Sequence, residues 1–466
     1  MDGHSAAPLR SEFDVIVAGG GVSGAIAAIA AARTGARTLV IEKLNCLGGN
    51  FTAGIMGTTW TFNDKEKLVV KGIPLELMQR LDAMGATVSR DITKDMFVIY
   101  DTEMAKVVLN DMALEAGVTI LFHTFVADVI MEGDRLAGLV VQHKSGREEI
   151  TAKVVVDASG DADVAARSGA PFDLPAKHKL HPATLMAKLG NVDVEALSQF
   201  YEAHPEFHGH YTHGQQYPGF HQFRIGGPLR EHYERGELPK AYEYLMDWFI
   251  LFYSTPRPRE IILNMTGATG IDGTDVYDLT RAEIECRKRL LEALDCYRRF
   301  IPGFRDAYIV TTGLTVGIRE TRRIIGEYMM TKDDIVSMRR FPDAIASYGA
   351  PIGHHTSDGK DAEFSLLTSG NSYDFPYRAL LPQKIDNLLV AGRCISVAAE
   401  GIGSTRNMTS CMATGQSAGT AAALAALAGV TPRALDVRAI QRELLRQGAY
   451  IEGVHFNALT AEEAIV

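Results

Sequence analysis

The chain has 466 residues, 46% of them hydrophobic and 22% charged, a globular composition long enough for about three domains. Its 57 acidic and 47 basic residues leave a net charge of −10, which offers no footprint for a phosphate backbone or an anionic membrane surface and argues against nucleic-acid binding. Five cysteines (Cys46, Cys286, Cys296, Cys394, Cys411) without a CxxC pair argue against a disulfide framework, a zinc ribbon or a dithiol redox centre and predict a reduced, cytoplasmic protein. The leader Met1 to Glu12 lacks an apolar run, and the Ala-rich stretches end well short of the ~20 residues of a membrane span, so neither export nor membrane insertion is expected. Glycine is over-represented, 44 residues or about 9% against a usual ~7%, clustered near 19–24, 48–57 and 392–419; such clusters predict backbone brought close to a ligand.

From Phe13 the chain reads DVIVAGGG, then an Ala-rich stretch through Arg33, then TLVIEK, which predicts strand, tight turn, helix and strand. The turn carries Gly19, Gly21 and Gly24 in G-x-G-x-x-G spacing, and Glu42 ends the second strand. In a dinucleotide site Gly19 makes the turn, Gly21 admits the pyrophosphate, Gly24 lets helix pack on strand, and Glu42 accepts the ribose hydroxyls. Further on, TEMAKVVLNDMALEAG predicts a helix, VTILFHTFVADVI one strand, and VVVDASGD a strand ending in a small-residue turn. A capping box of Thr280 and Glu283 predicts a helix from Thr280, with Leu290, Leu294 and Tyr297 on its buried face. NLLVAGR predicts a strand, Met412 to Leu427 a helix, and Asp436 and Gly448 the start and stop of a last helix. The implied fold class is α/β, a Rossmann-like domain with an inserted α+β substrate domain. Its expected parts are 12–170 and 381–430 for the nucleotide, 171–310 as substrate or cap domain, 311–380 as its return with flavin-facing segments, and 431–466 as a helical tail.

Leu47, Gly48, Gly49 and Asn50 follow directly after Glu42, with no second βαβ half, and here the sequence resembles glutathione-reductase-type FAD flavoproteins. It is most similar to the FAD-dependent oxidoreductase family related to fumarate reductase and succinate dehydrogenase flavoproteins. The resemblance runs through VVVDASGDADVAARSGA, LNMTGATGIDGTD, GIRETRRIIGEY, PYRALLP, NLLVAGRCIS and GSTRNMTSCMATGQSAGTAAA. It implies that Gly19, Gly21, Ser23, Gly24, Glu42 and Lys43 hold the pyrophosphate and adenosine, and that Gly48, Gly49, Asn50 and Thr52 line the path to the flavin. Val126 would meet the adenine edge, and Ser159, Gly160 and Asp161 would pass beside the cofactor. Gly392 and Arg393 would approach the phosphates, with Arg393 standing where many relatives carry Asp. Ser404, Asn407 and Met408 would flank the flavin at a helix start. Asn50 occupies the neighbourhood where some relatives bear a flavin-linked histidine, which implies noncovalent FAD.

The absence of a second GxGxxG and of a dithiol leaves one flavin trading electrons with a substrate on its face. Arg319, with its permanent charge, is a candidate clamp for a carboxylate or enolate oxygen, and Arg322 and Arg323 read as an ion-paired seam with Glu320 and Glu327. Arg406 lies in the Gly-rich turn before an Ala-rich helix. In GAPIGHHTSDG, His355 matches the histidine of a family pattern like P-I-D-I-H, while Gly353 replaces its Asp and His354 an apolar residue. His355, helped by His354, is the candidate proton carrier. The histidines His204, His208, His210, His213 and His221 match no common zinc spacing, so a solvated lid and no metal are expected. The reading is hydride transfer between flavin and a small organic substrate, with an unknown electron acceptor and a homo-oligomer allowed. The alternatives are a flavin monooxygenase, a flavin-carrying electron-transfer subunit, or a structural flavin in a non-redox lyase.

Overall fold

The run of β-branched residues after Phe13 forms strand β1 (Glu12–Ala18), the Ala-rich stretch forms helix α1 (Val22–Arg33), and TLVI forms strand β2 (Thr38–Ile41). The computed structural model describes residues 12–454 apart from 89–90, 208–219, 223–225, 248–250, 361, 366 and 368–369. β1 and β2 run parallel, Val15 opposite Thr38 and Ala18 opposite Ile41, with α1 as the crossover such pairing requires. On its other side β1 pairs in parallel with the long strand β3 (Gly146–Asp157), Val17 opposite Val156. The end of β3 takes Leu388–Val390 as a further parallel neighbour, while its first half pairs antiparallel with Arg135–His143. The result is a seven-stranded mixed sheet whose parallel centre is apolar on both faces because helices or chain cover both.

The run 118–130, expected as one strand, is two. Thr119–Leu121 joins the sheet edge beside β2, and Phe125–Glu132 joins the antiparallel wing. His123 breaks them with φ 54, because the N–H groups of His123 and Thr124 donate to the carbonyls of Leu44 and Glu42 and turn the chain around the end of β2.

A second, five-stranded antiparallel sheet contains β4 (Ala183–Gly190) between Ile261–Ala268 and Tyr308–Thr312. Helix α2 (Val276–Phe300) packs on it through Leu290, Leu294 and Tyr297, all buried as expected. Its start is corrected by a turn: Asp275 caps it by accepting the Tyr277 N–H at 2.9 Å, leaving Thr280 inside the helix with its hydroxyl on the Val276 carbonyl. Glu283, expected to close the cap, accepts the Val316 N–H and pairs with Arg287.

Strand β5 (Ile352–His355) leads toward the closing elements, helix α3 (Met408–Ala428) and the terminal helix Val437–Arg446, which Asp436 caps as expected. α3 lies against α1 at a distance only glycine permits: a Cβ on Gly415 would stand 2.3 Å from the Ser23 carbonyl oxygen, and one on Gly419 2.0 Å from that of Ala27. Part of the 392–419 glycine cluster therefore serves helix-to-helix packing and not a ligand. Among the described residues no helix is long and apolar enough to cross a membrane.

Candidate cofactor and substrate site

The three motif glycines do three different jobs. Gly19 has φ +99, and a Cβ there would lie 2.6 Å from the Ala158 carbonyl oxygen, so it makes the turn beneath the neighbouring strand end. A Cβ on Gly24 would fall 1.8 Å from the Gly19 carbonyl oxygen, so Gly24 seats α1 on the sheet. A Cβ on Gly21 would meet nothing within 4 Å: the N-terminus of α1 opens onto free space, which is where a pyrophosphate needs backbone without a side chain. Gly48 and Gly49 border that space, Gly48 donating its N–H to the Gly20 carbonyl at 2.7 Å and Gly49 facing the Gly21 backbone. The Ser23 hydroxyl is buried without a hydrogen-bond partner, as are those of Thr58 and Thr405. An open cradle and orphaned buried hydroxyls fit a bound dinucleotide.

Glu42 is buried at the end of β2, its two oxygens accepting the N–H groups of Gly20 (2.7 Å) and Leu44 (2.8 Å). A carboxylate has about four acceptor positions, so two backbone bonds leave room for ribose hydroxyls. Lys43 beside it is exposed, and Val126 follows the Thr124 amide bonded to Glu42, which brings the two to one end of the cradle.

Several expected contacts turn out to hold the protein to itself. The Thr52 hydroxyl donates to the Leu47 carbonyl and so shapes the loop. The Ser159 hydroxyl donates to Asp157 at 2.6 Å and accepts the Asp163 N–H, and the Ser404 hydroxyl donates to the Ala350 carbonyl at 2.8 Å. Asp161 pairs with Arg393 at 2.8 Å and accepts from Thr321 at 2.6 Å; the Arg that replaces an Asp in the resemblance is matched by this carboxylate. Gly392, φ +83, presses on the Ser23 side chain, and a Cβ on Gly160 would lie 2.9 Å from Arg393. Met408 is half-buried at the start of α3, and Asn407 is its N-cap residue without a side-chain cap bond. Cys46 is buried 3.8 Å from the Thr52 hydroxyl, and burial raises its pKa, so it is a packed thiol.

The loop that carries Arg319 seats on the glycine-containing loop that follows β2. The Leu314 N–H donates to the Ala53 carbonyl at 2.9 Å, and Gly317 bridges Thr184 of β4 and stands beside Asn50. Arg319 donates to the Pro182 carbonyl and to the Thr184 hydroxyl at 2.5 Å, both neutral acceptors. Burial first and Arg406 second pull its pKa down to about 9. Arg322 and Arg323 form the expected seam, with Glu320 on Arg323 as expected; Asp173 also pairs with Arg323, Arg322 pairs with Asp163, and Glu327 pairs instead with Arg433.

From the other side, Gly403 presses on Gly353 so closely that a Cβ would sit 2.4 Å from the Gly353 carbonyl oxygen. That contact brings the turn Ile402–Thr405 and Arg406 against β5 with His354 and His355. Burial, then Arg319 and Arg406, push His355 well below its ordinary pKa. The sequence reading missed His181, which is 3% exposed, with its Nε2 3.2 Å from the His354 ring. Its signal was the His-Pro step opening β4, a step with no motif attached. Of the histidine-rich stretch, His208, His210 and His213 lie outside the described residues, as does the His221 side chain; His204 pairs with Glu206. Among the described residues no three His, Cys, Asp or Glu are placed to hold a metal ion.

The FAD dependent oxidoreductase family profile matches residues 14–444. The chain belongs to that family. It is an enzyme family whose cofactor is FAD, with noncovalent binding typical. Nothing narrows it to the glutathione-reductase type. Thiamine thiazole synthase of Methanococcus vannielii is 34% identical over 166 residues, 33% of this chain and 58% of that protein. The enzyme of the same name from Saccharolobus islandicus is 32% identical over 165 residues, 33% of this chain and 57% of that protein. The match thus spans less than two thirds of these relatives. A geranylgeranyl bacteriochlorophyll reductase-like structure from Thermoplasma acidophilum aligns over 97% of this chain and 90% of its own, with TM-score 0.51 and 14% identity, a likeness of fold.

Proposed function

We propose that this oxidoreductase moves a hydride between FAD and a carbon beside the carbonyl or carboxylate of a small organic acid. FAD, when bound, supplies the two-electron acceptor or donor. The observation that carries the reading is Arg319, a half-buried guanidinium held on neutral oxygens with Arg406 adding positive charge near it, which favours an anionic group as its partner. Arg319 would orient the substrate, and Arg406, beside the N-terminus of α3, would add positive charge where the flavin ring accumulates negative charge. His355 is the group placed to hold or move a proton. The five-stranded sheet serves as the substrate domain covering the flavin, and free, buried thiols suit a cytoplasmic setting. The test is anaerobic: the purified flavoprotein is mixed with panels of hydroxy, amino and saturated acids and, after chemical reduction, with keto and unsaturated acids. Change of the flavin spectrum with acids, and none with the matching alcohols and amines, is expected; the reverse pattern overturns the reading.

A further inference from the structure

Helices α1 and α3 run in the same direction, since Gly415 packs on the Ser23 carbonyl and Gly419 on that of Ala27. α3 starts at Met408, seven residues before Gly415, and α1 at Val22, one residue before Ser23, so the N-terminus of α3 leads by six residues, about 9 Å at 1.5 Å per residue. The cradle at the start of α1 is thus followed by a second helix start, at a spacing that the sugar-alcohol chain between a pyrophosphate and a flavin ring can span. That second start is buried and uncapped. Asn407, its N-cap residue, is 8% exposed and makes no side-chain cap bond, and its Nδ2 has no hydrogen-bond partner. The hydroxyls of Thr405 and of Tyr348, at the end of the strand Ala344–Tyr348, are likewise buried and unpartnered. The Tyr348 hydroxyl lies beside the Asn407 amide and the Thr409 hydroxyl without a well-formed hydrogen bond to either. Thr409 is already engaged by the Thr59 hydroxyl at 2.5 Å and the Trp60 carbonyl at 2.8 Å, so the amide is the open partner.

We infer that Asn407 donates a hydrogen bond from Nδ2 to a ring carbonyl of bound FAD, and that Tyr348 is a positioning residue that holds the amide in this orientation by donating to its Oδ1. The inference rests on FAD as the cofactor and not on the proposed acid substrate. Its physical logic is a count of donors. Burial keeps the Tyr348 phenol protonated, so the hydroxyl has a proton to offer its neighbour. An amide that accepts on its oxygen turns its NH2 group the other way. That group, the Thr405 hydroxyl and the first-turn N–H groups of α3 can all donate, and donors gathered at the positive end of a helix fit an acceptor that gains negative charge. A ring carbonyl conjugated to the atoms that take up electrons is such an acceptor, so the pair favours the reduced cofactor over the oxidised one. Buried donors left unmet in the protein alone mark a place that a ligand completes.

The measurement is the midpoint potential of the purified flavoprotein, by anaerobic reductive titration against a reference dye. Asn407→Asp replaces the donor by an anion yet caps a helix as well as asparagine does, so a merely structural role leaves the potential where it was. The expected result is a fall of at least tenfold in the equilibrium constant for two-electron reduction, about 30 mV. Tyr348→Phe keeps the packing and removes one hydroxyl; a fall of about threefold, roughly 15 mV, with FAD still bound is expected. Should Asn407→Asp fail to hold FAD, Asn407→Ala is measured in its place and should fall in the same direction. An unchanged or raised potential in the Asn407 variant overturns the contact with the ring. An unchanged potential in Tyr348→Phe, or loss of FAD from it, overturns the positioning role. Unshifted potentials leave the proposed reaction standing, whereas shifted potentials in a flavoprotein that reacts with no organic acid fail that reaction alone.

Discussion

Gly21 and Gly24 lie three residues apart in one motif, yet the geometry separates a cofactor role from a folding role, and alanine at each makes the separation measurable. At Gly21, φ is −54 and ψ 173, a conformation alanine adopts freely, and its methyl would point into open space. Gly21→Ala should leave the apoprotein as stable as before or raise stability by about 0.4 to 1 kcal/mol through the unfolded chain. The methyl would occupy the position where the pyrophosphate meets backbone, so FAD should bind at least tenfold more weakly, about 1.4 kcal/mol or more. At Gly24 the balance reverses. Helix propensity favours alanine by about 0.8 to 1 kcal/mol, but a Cβ 1.8 Å from the Gly19 carbonyl oxygen cannot be accommodated without moving α1 off the sheet, an overpacking cost of about 1 to 3 kcal/mol or more. Gly24→Ala should therefore lower the apoprotein's stability. Thermal unfolding of the two apoproteins and fluorescence titration with FAD provide the readouts. Unweakened FAD binding by a folded Gly21→Ala protein would refute the assignment of that open space to the pyrophosphate.

Three further outcomes follow from the site. Glu42→Ala removes a charged acceptor from the proposed ribose position and should weaken FAD by about 1.5 to 3 kcal/mol, roughly tenfold or more, in equilibrium dialysis; unchanged affinity would place the ribose elsewhere. Arg319→Lys keeps the charge but loses the planar guanidinium, one nitrogen of which donates to both the Pro182 carbonyl and the Thr184 hydroxyl, so turnover of an acid substrate should fall far more than FAD content, measured together by stopped-flow and by absorbance. Acid should destabilise the fold with a sign set by His181: its folded pKa, about 2, lies below the unfolded value near 6.5, so the unfolded chain binds the extra proton and stability is lost as pH falls below about 6.5. The slope for this one group is about 1.4 kcal/mol per pH unit below that point; denaturant unfolding of the apoprotein between pH 7 and 5 should show it, and His181→Gln should flatten it.

The nucleotide half was legible because its chemistry is local. A strand, three glycines, a helix and an acid at fixed spacing leave few other arrangements, and even the division of labour among Gly19, Gly21 and Gly24 follows from the spacing. The glycines of α3 were misread because composition does not say whether a missing side chain admits a ligand or another backbone, and at Gly415 and Gly419 it admits α1. The start of α2 was misplaced for a related reason: Thr280 and Glu283 have capping-box spacing, but Asp275 captures the cap first and the preceding turn of helix extends the run. The split at His123 depends on hydrogen bonds to Leu44 and Glu42, some eighty residues earlier, which no window on the sequence contains.

The substrate side was half legible for a deeper reason. Arg319, Arg406, His354 and His355 each stood in a Gly-flanked turn and could be named singly, but their meeting depends on two backbone contacts: Gly317 with Thr184 of β4, and Gly403 with Gly353 of β5. His181 enters only through the first, since β4 must be in place before the residue ahead of it faces β5. Holding a half-buried guanidinium on neutral acceptors is unfavourable, and crowding histidines beside it adds repulsion whenever one of them is protonated. A fold gains nothing in stability from that arrangement. On the proposed reading an entering anion offsets that cost, so the groups that add least to the fold are the ones that select what is bound.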